Sequence, residues 1–343
     1  MEQINRRKLD HIHIVSEDHE VDRNRCYFDR IHLTHRALPE LNLADIDPSV
    51  QFLNKPLSFP LLISSMTGGA DQELVTINRN LATAAEAEGV ALAVGSQRVF
   101  LFDESARESF DLRKYAPNTV LLGNLGAVQL NYKVGLADCE AAVNVLDADG
   151  LYLHLNPLQE AVQPEGDTDF SNLRDKIATL VETLKPPVII KEVGAGISPK
   201  DVEYLVGAGV KYIDVAGTGG TSWSMVESKR SASPELGELF GDWGIPTPEA
   251  LRLMKPYRDD VALIASGGIR NGIDMAKSII LGASLCGIAR PFLDPARESA
   301  DAVRVMIRKL KREFTTAMFL LGAGTLDELK GREELILNEY WYR

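Results

Sequence analysis

Cysteine is scarce: only Cys26, Cys139 and Cys286 occur in 343 residues. The number is odd and no spacing fits a metal-ligand pattern, which argues against a disulfide framework or a thiolate zinc module and suits a reducing compartment. Cys286 lies inside an apolar run and reads as core. Long apolar stretches are missing too. None is long and uncharged enough to span a bilayer, and the opening MEQINRRKLDHIHIV has no signal-peptide run, so a cytoplasmic chain without membrane insertion is expected. Positive charge is in deficit. The net charge of −12 argues against nucleic acid as a partner. A small anionic ligand stays open, because the field inside a cleft can oppose the global charge. Arg6, Arg7, Lys8, Arg98, Lys191 and Arg290 are the candidate cations for such a cleft. Histidine is nearly confined to the first 58 residues, which hold five of the six, and none follows His154.

What the chain has is a repeated strand signal. Short apolar runs end in polar or glycine clusters: LLISSMTGG from Leu61, LAVGSQR from Leu92, VLLGNLG from Val120 and LYLHLNPLQE from Leu151. Then come VIIKEVGAG from Val188, YIDVAGTGG from Tyr212, ALIASGGIR from Ala262 and SLCGIARPF from Ser284. Eight strands with mostly helical stretches between them predict an α/β fold, a (β/α)8 barrel. In that fold the carboxyl ends of the strands build one active-site face. Thr67, Ser96, Asn124, Gln159 with Glu160, Lys191, Thr218, Gly268 and Arg290 then line a single pocket.

We read one domain with attachments: a lead-in over residues 1–58, a barrel over 59–293, and C-terminal helices over 294–343. The first barrel helix is DQELVTINRNLATAAEAEG, with Leu74, Ile77 and Leu81 on one face and Gly89 as its C-cap. The Ser- and Gly-rich stretch from Ser222 to Thr247 overhangs the active-site face, as a solvated loop or as a lid. After the barrel, two helices are expected, separated by a glycine break at Gly322–Gly324.

The strongest chemical signal is the pair SGGIRNG and GIARPF, closing strands seven and eight. Barrels commonly bind phosphate there through backbone N–H groups and a helix start. Gly267 and Gly268 admit close approach of an anion, and Arg290 adds charge; the alternative is two tight turns that merely need glycine. Lys191 closes strand five in an otherwise apolar run. It either pairs with an acid structurally or holds negative charge on a flavin pyrimidine ring. SSMTGG and GNLG supply small polar groups suited to a flat heterocycle, and with the phosphate site they suggest FMN. Glu160 is a lone carboxylate of the kind Mg²⁺ shares with substrate phosphates, or a helix N-terminal charge. His154 is either a pocket group or a satisfied core histidine.

These segments resemble a known family, the type 2 isopentenyl-diphosphate isomerases. The matching stretches are RRKLDHI, SSMTGG, VGSQR, GNLG, HLNPLQE, IIKEVGAGIS, DVAGTGGTSW, DWGIPT, SGGIRNGIDMAKSIILGA and GIARPF, spread over almost the whole chain. HLNPLQE and the DVAGTGGTSW to DWGIPT pairing are specific, whereas SGGIR is shared by many phosphate barrels. The resemblance implies interconversion of isopentenyl and dimethylallyl diphosphate with reduced FMN, Mg²⁺ and electrons from NADPH, in a homo-oligomer (tetramer or octamer). It implies that Arg7, Lys8, Ser96, Gln97, Arg98 and Gln159 face the substrate and that Glu160 binds Mg²⁺. FMN would meet Ser65, Met66, Thr67, Ser96, Asn124, Lys191 and Thr221. Its phosphate would meet Gly268, Ile269, Arg270, Ala289 and Arg290. Lys191 and Gln159 would carry the catalytic roles, with reduced flavin moving protons and Lys191 favouring its anionic form.

Three rival readings stand beside this one. An FMN hydroxy-acid oxidase wants a histidine base near strand six or seven, where the sequence has none. A nucleotide dehydrogenase wants a cysteine nucleophile on a barrel loop, and none of the three cysteines sits on one. A phosphate-binding barrel without catalysis is opposed by Lys191, Gln159 and Glu160 meeting on one rim.

Overall fold

The structure is a computed structural model describing residues 2–23 and 25–339, the side chains of 2–6, 338 and 339 excepted. The Arg6 side chain and residues 340–343 thus lie outside the described residues. Eight parallel strands close a barrel: Leu61–Ile63, Ala91–Ala93, Leu121–Gly126, Gly150–Leu155, Val188–Glu192, Tyr212–Asp214, Ala262–Ser266 and Leu285–Ile288. They fall on the eight apolar runs of the sequence. Closure is made by the last strand pairing with the first, Cys286 opposite Leu61 and Ile288 opposite Ile63.

Both faces of these strands are buried, which is why they read as continuous apolar runs rather than alternating ones. The two faces belong to different packing units. Leu62, Leu122, Tyr152, Ile189, Ile264 and Leu285 point into the barrel. Their neighbours Leu61, Ile63, Leu121, Leu151, Ile190 and Ala265 pack outward against the helices. A hairpin, Val50–Phe52 and Lys55–Leu57, stops the amino-terminal end, with Phe52 and Leu57 in the inner cluster. Its two-residue turn, Leu53 and Asn54, has positive φ at both positions, as a tight hairpin requires. Lys55 Nζ anchors it 2.6 Å from Asp149.

The first barrel helix runs Gln72–Glu88 between an Asp71 N-cap and Gly89 at φ +63°, as its sequence predicts. The C-terminal expectation is corrected. The helix break falls at Ser299, between Leu293–Glu298 and Ala300–Leu321. Gly322 ends the second helix in the left-handed region, and only a single 3-10 turn, Glu333–Leu335, follows it within the described residues, with no further α-helix. Gly331, at φ +72°, cuts that stretch short. The chain instead forms strand Ile336–Glu339, antiparallel to Ile31–Leu33 of the lead-in.

The lead-in begins with a helix, Glu2–Glu17, laid over the carboxyl end of the barrel. The overhang after strand six is buried in its first part and solvent-exposed over most of residues 232–244. It forms helices Trp223–Ser228 and Glu235–Leu239, and Ser222, Ser224, Glu227 and Ser228 are buried. Ser222 Oγ donates to Gly241 O at 2.8 Å. The buried Arg23 guanidinium donates to carbonyls of Gly241, Gly194 and Thr221, at 2.9, 3.1 and 3.3 Å. The overhang is therefore pinned at Ser222 and Gly241, and it adds Trp223 to the cavity wall.

Candidate active site

A cavity of about 530 Å³ opens at the carboxyl ends of the strands. Strands one to four bring Ser65, Met66 and Thr67, then Ser96 and Arg98, then Asn124, then Gln159 and Glu160. Strands five to eight bring Lys191, Thr221, the run Gly268–Ile269–Arg270, and Ala289 with Arg290. The N-terminal helix adds Arg7, Lys8 and His11.

Two expected residues do not reach the cavity. Gln97 is fully buried, its Nε2 donating to Ala142 O at 2.8 Å and its Oε1 accepting from Asn124 N at 2.8 Å. It braces strand three rather than facing a substrate. Thr218 is buried behind the overhang, its N–H donating to Ile245 O, and Thr221 takes its place in the lining.

The floor is built around Lys191. Its Nζ donates to Glu192 O at 2.5 Å and lies 5.6 Å from the Tyr152 ring. Burial lowers its pKa, and the charges of Asp214 and Glu192 pull the other way. Tyr152 and Ser266 hydroxyls donate to Asp214, at 3.0 and 2.6 Å. Beside Lys191 stands His154, its partner across the parallel strands. Burial, then the charges of Lys191 and Lys8, push His154 down to about 3, so the ring is neutral. Asn124 donates its Nδ2 to Val94 O at 3.0 Å, leaving Oδ1 to accept from His154 Nδ1 at 2.8 Å. That assigns the proton to Nδ1 and leaves Nε2 as an acceptor.

A flavin fits this frame. The Ser65 and Thr67 hydroxyls are buried with no protein partner, and both residues line the cavity. Gly267 and Gly268 have φ of +97° and +78°. A Cβ on Gly268 would stand 2.8 Å from the Gly219 backbone, so only glycine fits this turn. The helix Gly272–Ile280, capped by Asn271, starts just beyond, in the position of an anion-binding helix start.

The opposite side is polar and charged. Lys8 Nζ donates to Ser96 O at 2.6 Å, and burial, helped by Arg7, lowers Lys8 to about 7. Arg98 Nη1 meets Asp167 at 2.8 Å, and Arg7 Nη1 lies 3.6 Å from Glu165. Glu160 accepts from Asn156 Nδ2 at 2.9 Å and Asp167 N at 2.7 Å, and burial raises its pKa. Among the described residues no three His, Cys, Asp or Glu side chains gather into a metal cluster. The donors that do meet here, Glu160 and the unpartnered Asn156 Oδ1, are hard oxygens suited to Mg²⁺ with ligands completed by phosphate oxygens.

The structure adds a group the sequence reading left unassigned. Glu227, from the overhang, is fully buried with Gln159 Nε2 at 2.9 Å, Arg230 Nη1 at 2.5 Å and His11 Nε2 at 3.1 Å. Burial opposes its charge, but these donors outweigh it and hold Glu227 at about 2. Burial lowers His11, whose ring packs edge-on to Trp223 at 5.1 Å. His11 was traceable, four residues after Arg7 and so on the same helix face. Glu227 had no local signal; only the tertiary fold brings it to Gln159.

The closed parallel barrel with this floor places the chain among flavin-binding (β/α)8 proteins. Residues 145–336 match the family model for FMN-dependent dehydrogenases. Solved structures share the fold: a flavocytochrome b2 variant at TM-score 0.69 and 17% identity, covering 94% of this chain and 82% of that one. A mandelate oxidase variant follows at TM-score 0.62 and 18% identity, covering 90% and 88%. Closer in sequence is an isopentenyl-diphosphate delta-isomerase of Paracoccus zeaxanthinifaciens, 56% identical over 96% of each chain. One of Hydrogenovibrio crunogenus is 52% identical over 97% of this chain and 98% of the relative. One of Halobacterium salinarum is 46% identical over 96% and 93%. The chain belongs to the isopentenyl-diphosphate delta-isomerase family.

Proposed function

We propose that this chain interconverts isopentenyl and dimethylallyl diphosphate, without net redox change, in isoprenoid biosynthesis. The observation that carries the reading is a single cavity with a flavin floor around Lys191 on one side and Arg7, Lys8, Arg98 and Glu160 on the other. The first suits an FMN ring and the second a diphosphate. Strands six to eight bring no histidine to this cavity, so the base that hydroxy-acid oxidation wants is missing.

Moving a double bond needs a proton added at one carbon and removed at another. When bound and reduced, FMN would supply the acid–base chemistry for this shift. In our reading Ser65, Met66, Thr67, Ser96, Asn124 and Thr221 would hold the ring, and the backbone turns that carry Gly268, Ile269, Arg270, Ala289 and Arg290 would hold its phosphate, while the two guanidiniums reach the lead-in. Lys191 balances negative charge on the pyrimidine edge. Arg7, Lys8 and Arg98 grip the diphosphate, with Mg²⁺ on Glu160. That grip uses remote binding energy to place the alkene. Gln159, which lines the cavity and is held by Glu227 and Asn156, would contact the substrate from this side. NADPH serves to reduce the flavin. We further propose a cytoplasmic homo-oligomer, a tetramer or octamer. No helix among the described residues is long and apolar enough to cross a membrane.

The test is anaerobic incubation with isopentenyl diphosphate, FMN, Mg²⁺ and NADPH, followed by product analysis. Dimethylallyl diphosphate is the expected product. Its absence with flavin-loaded, reduced protein sinks the proposal.

A further inference from the structure

Asp22 follows the N-terminal helix by a single short turn, His19–Val21. Its carboxylate stands 2.5 Å from Arg290 Nη1 and 3.3 Å from Arg270 Nη1. Arg270 Nη2 also reaches the other oxygen, at 3.4 Å. One carboxylate of the lead-in thus gathers the guanidiniums that close strands seven and eight. Arg290 turns its remaining nitrogens to the lead-in as well. Its Nε donates to Val15 O at 3.1 Å, and its Nη2 lies 3.3 Å from His19 Nδ1. Arg270 Nη2 donates to Arg23 O at 2.8 Å.

Val15 lies in the last turn of helix Glu2–Glu17, where carbonyls lack partners inside the helix and a cation is favoured. Arg290 is therefore the cap of this helix, and Asp22 aims its fork. The same helix carries Arg7, Lys8 and His11 over the cavity. Lys8 lies about 10 Å up the axis from Val15, seven residues at 1.5 Å each. The helix is held further along too, by Lys8 on Ser96 and His11 on Glu227, so slack at its Val15 end shifts the cations it carries rather than releasing them.

We propose that Asp22 is a positioning residue for diphosphate binding: it locks Arg290 and Arg270 against the lead-in and so docks the helix that presents Arg7 and Lys8. This rests on the function proposed above. The test compares Asp22→Asn with the native FMN-loaded enzyme. KM for isopentenyl diphosphate and the inhibition constant of inorganic pyrophosphate should both rise about tenfold, with kcat at saturation changed less than about twofold. FMN affinity, read by flavin fluorescence, should move less than about threefold, since in our reading the backbone turns at Gly268 and Ala289 hold the phosphate and Asp22 touches neither. Unchanged KM and pyrophosphate inhibition overturn the proposal. So does a loss of FMN affinity as large as the rise in KM, which would make Asp22 part of the flavin phosphate seat. If the native protein fails to isomerise isopentenyl diphosphate, the functional reading falls on its own. Asp22 is then judged by direct pyrophosphate binding, where equal affinity in native and variant overturns its role. Should Asp22→Asn not fold, Asp22→Glu is measured by the same criteria, with an expected rise of about threefold in KM.

Discussion

Lys8 shows how a single side chain sets a pH dependence. Its amine is buried against Ser96 and falls to about 7, well below its ordinary value. Near neutrality the free protein therefore begins to lose a cation that our reading assigns to the diphosphate. The profile of kcat/KM reports the free enzyme, so it should fall as pH rises through about 7, while kcat, with substrate already gripping the amine, holds further up. Lys8→Arg should remove that descending limb; a limb that stays in the variant shows that another group titrates. Stability has the opposite sign. Between about 7 and 10.5 the unfolded chain holds this proton and the folded one does not, so unfolding free energy from Lys8 rises with pH across that window. Glu160 gives a second residue-scale test. Glu160→Gln keeps the side chain's shape and its acceptor for Asn156 but loses the carboxylate. Activity should drop at least about tenfold and the Mg²⁺ titration should shift to higher concentration, with FMN still bound. An unchanged Mg²⁺ titration counts against the metal role.

Single elements show what the sequence made legible and what it hid. The eight strands were plain because burial on both faces leaves an unbroken apolar run with a glycine or polar stop. Helix Gln72–Glu88 was plain because Asp71 and Gly89 cap it locally. The turn after strand seven was legible for a similar reason, since Gly267 and Gly268 occupy backbone states other residues avoid. Gly268→Ala should therefore destabilise the protein by about 1–3 kcal/mol and weaken FMN binding at least tenfold, about 1.4 kcal/mol, measured by melting and by fluorescence titration. Undiminished FMN affinity would remove this turn from the phosphate seat. The N-terminal helix was hidden. Its residues are mostly polar, and the contacts that hold it, Lys8 with Ser96 and Arg290 with Val15, join positions far apart in sequence. Deleting residues 1–10 removes Arg7 and Lys8. It should raise KM for isopentenyl diphosphate more than about tenfold, because these are charge-assisted contacts in a partly desolvated site. FMN binding should change little. An unaltered KM would leave the segment as a basic tail.

At the scale of the whole molecule, the misreadings share a cause. Strand Ile336–Glu339 exists because Ile31–Leu33 offers it an edge some three hundred residues earlier, and no local pattern announces such a pairing. The family resemblance put Gln97 facing the substrate, but the barrel turned it toward Ala142 and strand three. Glu227 came to Gln159 only through the folding of the overhang. The overall chemistry survived these local errors because the barrel collects strand ends onto one face whatever the loops do. That collection also fixes the last prediction. In our reading the cavity joins a ring site around Lys191 to a cationic diphosphate site, and His154, opposite Lys191 across the sheet, is neutral. With no net electron flow required by a double-bond shift, nicotinamide should only prime the enzyme. NADPH or dithionite should activate it equally well under anaerobic conditions, in amounts far below one equivalent per product formed. Lys191→Ala should fold, bind FMN more weakly and lose most activity, since a lysine at the barrel mouth serves charge at the ring rather than packing. NADPH consumed mole for mole with product, or full activity with air-oxidised flavin, would return this chain to the dehydrogenases whose fold it shares.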